Sequence, residues 1–132
     1  MSALPHAADV GVRLHHANEG QAVLSAPWAS KLVGDPKTGV MHGGVVTVLL
    51  DTSCGTAVMS NRSKIRSTAT LDLRIDYMRP ATTGRRIYCH AECYRMTRSI
   101  GFTRAVAFHE TPDDPVATAS GTFMLDRKEE TE

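Results

Sequence analysis

The chain has 132 residues, of which 42% are hydrophobic and 22% are charged, and its formal net charge is +1. This length excludes two domains of ordinary size, and the balanced charge excludes a general polyanion-binding protein and an acidic disordered chain. The charge is uneven, however. The segment from Arg62 to Arg104 carries ten Lys and Arg against three acidic residues, a local charge of +7.

The N-terminal sequence lacks a charged segment followed by an apolar run, so no signal peptide is expected. The longest apolar run is far short of the roughly 20 residues that cross a membrane. We therefore expect a soluble, cytoplasmic protein with a single domain over residues 1–132. Its core covers about 9–126, and its loose termini are residues 1–8 and 127–132.

The pattern of apolar and turn-forming residues predicts two strands, one long helix and then four strands. In chain order these are strand Val10–His16, strand Gln21–Trp28, helix Val45–Met59, strand Thr70–Tyr77, a strand with the buried face Ile87, Cys89, Ala91 and Cys93, strand Gly101–His109 and strand Val116–Leu125. A turn-rich loop over residues 34–39 precedes the helix. Four consecutive strands with short turns favour an antiparallel sheet, and the layout is α+β. The helix is apolar nearly all round, so we expect the rest of the fold to wrap it.

The strand Thr70–Tyr77 alternates between apolar and polar residues. This alternation predicts a sheet with one face on a core and one in water. The predicted core face is Leu71, Leu73, Ile75 and Tyr77, and the predicted water face is Thr70, Asp72, Arg74 and Asp76.

The three cysteines, Cys54, Cys89 and Cys93, form neither an even disulfide set nor a zinc-binding pattern. We expect buried, unreactive thiols in a reducing compartment, and no metal site.

Asp51 lies in the middle of the predicted helix, in the most apolar part of the chain. A buried carboxylate costs several kcal/mol unless it is paired or hydrogen-bonded. Asp51 is therefore either a functional acid in a cleft or a carboxylate that reaches the solvated side of the helix. In the second case it could pair with Thr47 or Thr52.

The segment Met41-His42-Gly43-Gly44 comes immediately before the apolar run. Two glycines allow a ligand to approach the backbone closely, and the free N–H groups of a helix's first turn can stabilise an oxyanion. The alternative is a tight turn into the helix, with His42 as a surface or capping residue. Asp51 lies eight residues after Gly43, about two helical turns further on.

The segment Gly39–Thr52, GVMHGGVVTVLLDT, resembles the hotdog-fold acyl-CoA thioesterases of the phenylacetic-acid-degradation (PaaI-like) type. The resemblance continues through Tyr77-Met78-Arg79-Pro80, Gly84 and Ala117–Phe123, and it covers roughly residues 20–125. It implies an α+β hotdog fold, in which an antiparallel sheet of about six strands wraps around one long central helix.

The resemblance also implies roles for particular residues. The Gly43 amide would polarise the thioester carbonyl, and Gly44 would allow the substrate to approach closely. Asp51 would act as nucleophile or as general base on water. His42 would help to position the thioester or the attacking water, and Thr70 would orient that water. The implied working unit is a homodimer or homotetramer, with the active site at the subunit interface and acyl-CoA as substrate.

One position departs from the family pattern. Relatives commonly have Asn three residues before the glycine equivalent to Gly39, where this chain has Pro36, with Asp35 one residue earlier. A carboxylate cannot donate the hydrogen bond of an Asn amide unless it is protonated. Asp35 is therefore either a shifted substitute in substrate binding or irrelevant to it.

The arginine-rich segment offers partners for the phosphates of coenzyme A. Arg79, Arg95 and Arg98 lie at strand ends or turns, where relatives usually hold the nucleotide, and Arg binds phosphate through paired, charge-assisted contacts. The alternative is a solvated strand edge that deters aggregation. Arg74 and Arg86 fit that alternative best, because they alternate with acidic residues on outward faces.

Two other functions share the implied fold. An acyl-thioester hydratase or dehydratase would use a His with a carboxylate, as His42 and Asp51 could supply. Dehydratases usually show Phe-Pro-Gly after that His, however, where this chain has Gly43-Gly44. A hotdog protein could also bind acyl-CoA without catalysis. Nucleic-acid binding is not expected, because the chain has few aromatic residues and no recognisable binding motif. No cofactor is expected, since CoA is part of the substrate.

Overall fold

The computed structural model describes residues 11–28, 33–35, 40–41, 43–61, 65–82 and 84–127. These residues form eight strands and one helix. In chain order the elements are β1 (Arg13–Asn18), β2 (Gln21–Ala26), β3 (Val33–Asp35), β4 (Val40–Met41), α1 (Gly43–Met59), β5 (Ile65–Tyr77), β6 (Ile87–Met96), β7 (Ile100–Phe108) and β8 (Pro115–Arg127).

Six of these strands form one antiparallel sheet in the order β1-β2-β6-β7-β8-β5. The strands β6, β7 and β8 follow one another through short turns, whereas β5 follows α1 and lies at the far edge beside β8. The predicted α+β hotdog arrangement, with about six antiparallel strands and a long helix, is confirmed. The small hairpin of β3 and β4 was not predicted, because the segment around it is rich in turn-forming residues.

The core lies between one side of α1 and the inner face of the sheet. Leu49, Leu50 and Val58 of the helix are fully buried there, as are Leu24 of β2 and Ile87 of β6. Complete burial of each such side chain contributes about 1.5–3 kcal/mol to folding. All three cysteines are buried in this layer and unpaired, as predicted.

The sheet covers one side of α1, as the predicted hotdog arrangement requires, and the described residues leave its other side less buried. We define the open stripe as the six residues that are only partly buried or exposed: Gly44, Thr47, Val48, Asp51, Gly55 and Met59. They recur every three or four residues, which places them along one side of the helix. The side chains from Val45 to Val58 that lie outside the stripe are buried. The apolar composition of α1 therefore does not reveal that one side of the helix is buried and the other is partly exposed.

The predicted faces of β5 need one correction. A β-bulge between Thr70 and Asp72 places Thr70 opposite Phe123 and Leu73 opposite Gly121. Residues directly opposite each other on antiparallel strands project to the same face, so Thr70 and Leu73 both face the helix. The prediction of Leu71 in the core is wrong, because Leu71 is 49% exposed, and Thr70 lies on the helix side of the sheet, although it is exposed as predicted. The extra residue of the bulge shifts the alternation by one position.

Candidate active site

The carboxylate of Asp51 lies on the open stripe and is bound by a hydroxyl group from β5. Thr70 Oγ1 donates a hydrogen bond of 2.8 Å to Asp51 Oδ1. Asp51 is partly buried, whereas Thr70 and the bond itself are exposed at the surface of the groove. The partner of the Asp51 carboxylate in this bond is therefore not Thr47 or Thr52, which one of the two alternatives named, but a residue 19 positions away.

The bulge in β5 explains why Thr70 reaches Asp51. Without the extra residue, the alternation of the strand would direct Thr70 to the outer face of the sheet. β-bulges often occur next to active sites, where they reorient one side chain. The structure therefore brings two of the candidate catalytic residues, Asp51 and Thr70, into direct contact.

A second hydrogen bond connects the open stripe to β5. Thr47 Oγ1 and Tyr77 Oη are 2.8 Å apart, one helical turn before Asp51. Because β5 holds α1 at both Thr47 and Asp51, the position of the carboxylate is fixed from two points. Sequence analysis did not predict a polar role for Tyr77, which was assigned to a core face.

An open groove of about 660 Å³ runs between α1 and β5. This volume lies within the usual range of small-molecule binding sites. The groove is lined by Asp51, Thr52, Gly55 and Met59 of the helix, by Arg66, Ser67, Thr68, Ala69 and Thr70 of β5, and by Phe123 of β8. Asp51 and Thr70 therefore face a space large enough for a substrate.

The N-terminus of α1 is separate from this groove. The helix begins at Gly43, and its first-turn N–H groups have no acceptor within the helix. Eight residues separate Gly43 from Asp51, which corresponds to about 12 Å along the helix axis. His42 and Pro36 lie outside the described residues. Asp35 is the last residue of β3, opposite Val40.

The candidate arginines lie at opposite ends of the sheet. Arg79 follows the C-terminal end of β5 and donates to Asp114 Oδ2 at 3.3 Å. Arg98 lies in the β6–β7 turn, where its carbonyl accepts a hydrogen bond from Arg127 Nε, beside the N-terminal end of β5. The 13 residues of β5 span about 40 Å between these ends. Arg79 and Arg98 of one chain therefore cannot hold one nucleotide together.

The remaining arginines differ in environment. Arg95 and Arg98 are exposed, and their guanidinium groups have no ion-pair partner among the residues that the structure describes. Arg74 is exposed, and its Nη2 lies 3.6 Å from Asp76 Oδ1, which agrees with the expectation of a solvated strand position. The same expectation is wrong for Arg86, because it is half-buried and its Nη1 donates to Ser25 Oγ at 2.9 Å.

The cysteine thiols are not suited to nucleophilic catalysis. Burial raises the pKa of Cys54 to about 11 and that of Cys89 to about 12. A thiol with so high a pKa carries almost no thiolate at neutral pH. Cys54 lies three residues from Asp51 but on the buried side of α1, so the carboxylate is the candidate reactive group of this segment.

Neither a metal centre nor a membrane span is found in the described part of the chain. No group of three or more His, Cys, Asp or Glu residues there could hold a metal ion. No described helix is long and apolar enough to cross a membrane.

Comparison with known proteins places this geometry in context. Residues 38–116 match the model of the thioesterase superfamily. A protein of Halobacterium salinarum described as an esterase is 32% identical, over 89% of this chain and 82% of its own length. The medium/long-chain acyl-CoA thioesterase YigI of Escherichia coli is 24% identical, over 92% of this chain and 86% of its own length.

Solved structures show the same fold. A protein of Pseudomonas aeruginosa superposes with a TM-score of 0.84 at 41% identity, covering 93% of this chain and 91% of that chain. A mutant of the phenylacetic acid degradation protein PaaI from Thermus thermophilus has a TM-score of 0.79 at 25% identity, covering 92% of this chain and 98% of that chain.

Proposed function

Since the chain belongs to the thioesterase superfamily, we propose that it hydrolyses acyl-CoA to free acid and CoA, with Asp51 as the residue that drives the attack on the thioester. Membership makes it a thioester hydrolase and confirms the PaaI-like resemblance carried by its HGG segment. The choice of CoA as carrier is supported by the similarity to YigI. The observation that carries the assignment of Asp51 is its hydrogen bond with Thr70 at an open groove.

Asp51 has two chemical routes to hydrolysis. As general base it takes a proton from water, whose oxygen attacks the carbonyl carbon. The C–S bond then breaks, and the CoA thiolate takes up a proton. As nucleophile its carboxylate oxygen attacks the carbonyl carbon instead, the C–S bond breaks with loss of the CoA thiolate, and water hydrolyses the resulting anhydride. In ¹⁸O-labelled water, attack of water on the aspartyl carbonyl of this anhydride places ¹⁸O in the side chain of Asp51, whereas the general-base route places it in the product acid alone. Mass spectrometry of the peptide detects the difference.

The proposed oxyanion donor is the Gly43 amide at the start of α1. For attack, Asp51 or the water molecule that it activates must lie within about 3 Å of the carbonyl carbon of the thioester. For polarisation, the Gly43 N–H must lie within about 3 Å of the oxygen of the same carbonyl group. The spacing of about 12 Å along α1 is too long for Asp51 and the Gly43 N–H of one chain to contact one carbonyl group directly. We therefore propose that a complete site combines Gly43 of one copy with Asp51 of another.

The edge strand β5 offers a surface for that second copy. It is 13 residues long and forms an outer edge of the sheet. Leu71, Tyr77 and Met78 are 49%, 52% and 55% exposed along and just beyond it. Unpaired edges with exposed apolar residues favour pairing with another chain. We therefore propose a homodimer, or a dimer of dimers, with two shared sites per dimer.

The nucleotide of CoA would then meet arginines from two chains. Within one chain Arg79 is far from Arg95 and Arg98, but antiparallel pairing of two β5 edges brings opposite ends of the sheets together. In this arrangement Arg79 of one copy and Arg95 or Arg98 of the other flank the same phosphate groups. Light scattering checks the dimer, and Arg98→Ala is expected to raise KM for acyl-CoA more than it lowers kcat.

The test of the reaction uses acetyl-, decanoyl- and phenylacetyl-CoA, with release of the CoA thiol followed by a thiol reagent. We expect hydrolysis by the wild-type protein and a loss of about a hundredfold or more in kcat for Asp51→Asn. Glu92→Gln is the matched control, because Glu92 lies on the outer face of the sheet, where Arg104 Nε donates to it at 2.8 Å.

Three results would contradict the proposal. Equal rates for wild type and Asp51→Asn would remove Asp51 from the mechanism. Tight binding of acyl-CoA without thiol release would indicate a binding protein. Loss of the absorbance of an enoyl-CoA double bond, again without thiol release, would indicate a hydratase.

A further inference from the structure

Gly55 occupies an unusual position in the middle of α1. Glycine in a helix interior is destabilising relative to alanine, so its presence needs a packing or functional reason. Among the described residues, a Cβ atom at position 55 would meet Phe123 Cε2 at 3.7 Å, an ordinary van der Waals distance. Packing therefore does not require glycine at this position.

At two other positions, Gly101 and Gly121, close packing does favour glycine. A Cβ atom at Gly101 would approach Val58 Cγ2 to 3.2 Å. A Cβ atom at Gly121 would lie 3.0 Å from Leu73 Cδ1 and 3.2 Å from the carbonyl oxygen of Asp72. A methyl group would crowd its neighbours at these two positions, whereas Gly55 has room that no side chain of the described residues fills.

The space beside Gly55 belongs to the groove that contains Asp51. Asp51, Gly55 and Met59 follow one another at four-residue intervals, so they form one wall along about 12 Å of the helix. The groove runs from Asp51 towards the C-terminal end of α1, away from Gly43. It ends between Met59 and Arg66, which are both exposed.

The chemistry of the groove suits an apolar tail and not a nucleotide. Gly55, Met59 and Phe123 present apolar surface. Among the described residues of the lining, the one cation is Arg66, whose Nη2 lies 2.8 Å from Asp126 Oδ2. CoA carries several negative charges, whereas the described lining is mostly uncharged and offers it a single cation.

We propose that this groove binds the acyl chain of the substrate and that Gly55 determines how wide a chain it accepts. The inference rests on the proposed function, because it places the thioester at Asp51. The substrate class is acyl-CoA with an unbranched chain of medium or greater length. A compact aryl group would fill only the part of the groove beside Asp51, and a long tail would emerge into solvent past Met59.

Chain-length dependence follows from this placement. Each methylene buried in the groove is expected to increase kcat/KM by up to about fourfold. The increase should stop once the chain extends past Met59, because further methylenes remain in water. A series of acyl-CoA substrates from acetyl to palmitoyl is therefore expected to show a rise followed by a plateau.

The decisive readout is the ratio of kcat/KM for decanoyl-CoA to that for acetyl-CoA. In Gly55→Ala we expect this ratio to fall by about fourfold or more, because the methyl group displaces part of the chain. The same variant should melt about 2–6 °C higher, since alanine favours the helix. Gly55→Leu should lower the ratio further. Loss of long-chain activity together with increased stability cannot result from damage to the fold.

Gly101→Ala is the matched control, because its methyl group would press on Val58 in the core. It should lower the melting temperature and leave the decanoyl-to-acetyl ratio as in the wild type. A wild-type ratio in both Gly55 variants would overturn the inference and leave the proposed function intact. Failure of the wild-type protein to hydrolyse any acyl-CoA would instead overturn the proposed function.

Discussion

The two sides of α1 differ in the kind of requirement that their side chains meet. On the buried side, Leu49, Leu50 and Cys54 have no exposed surface and fill the space beneath the sheet. On the open stripe, Asp51 accepts a hydrogen bond from β5, and Gly55 leaves room that none of the described side chains fills. Packing explains the first side, whereas the proposed binding of substrate would explain the second. A single helix therefore supplies both the stability of the domain and its candidate site.

Shortening a side chain on each side of α1 gives the largest expected contrast. Leu49→Ala should lower the free energy of unfolding by about 2–5 kcal/mol, because it leaves a cavity in the core. Met59→Ala on the open stripe should cost much less, since Met59 is 39% exposed. Urea denaturation measures both. Similar losses for the two variants would show that the open stripe is buried in the folded chain.

Chemical labelling of Cys54 tests whether the buried side stays closed. Burial raises its pKa from the ordinary 9.0 to about 11, so the thiolate is rare at pH 8 and becomes common only as the pH approaches 11. From ionisation alone, labelling in the folded protein should be about a hundredfold slower than in urea. Mass spectrometry after iodoacetamide treatment measures this. Equal rates in the two states would mean that the helix separates from the sheet.

Thr70→Val has the smallest expected effect and tests the contact across the groove. The substitution preserves shape but removes the hydroxyl that donates to Asp51 Oδ1. Hydrogen bonds to charged groups contribute about 1.5–3 kcal/mol, so we expect kcat/KM to fall about tenfold or more. Thr122→Val, on the outer face of β8 opposite Asp72, is the control. Equal activity in the two variants would reduce Thr70 to a structural role.

Much of the fold could be predicted from the sequence because apolar residues follow regular periods. The continuous apolar run predicted α1 to within two residues of its start at Gly43. The inner face of β6 was also correct, since Ile87, Cys89, Ala91 and Cys93 are all buried. Such patterns predict structure because the buried face of a helix or strand has to be apolar, and this requirement repeats with the period of the element.

Features that depend on contacts between distant residues could not be predicted. The alternation over Thr70–Tyr77 contains no sign of the bulge, which appears only when β5 pairs with β8. The alternation therefore gave no sign that Thr70 contacts Asp51, and only the family resemblance linked the two residues. The half-buried position of Arg86 depends on Ser25, 61 residues away. Gly55 was the available signal for the groove, because a glycine inside a predicted helix requires explanation.

The most direct test of the central claim mixes two inactive variants. Asp51→Asn removes the reactive carboxylate, and Gly43→Pro removes the proposed oxyanion N–H, at a first helical position that tolerates proline. If each site combines Gly43 of one copy with Asp51 of another, random mixed dimers contain one intact site each. The mixture should then recover roughly a quarter of wild-type acyl-CoA hydrolysis. No recovery, in a mixture shown by mass spectrometry to contain mixed dimers, would contradict the account.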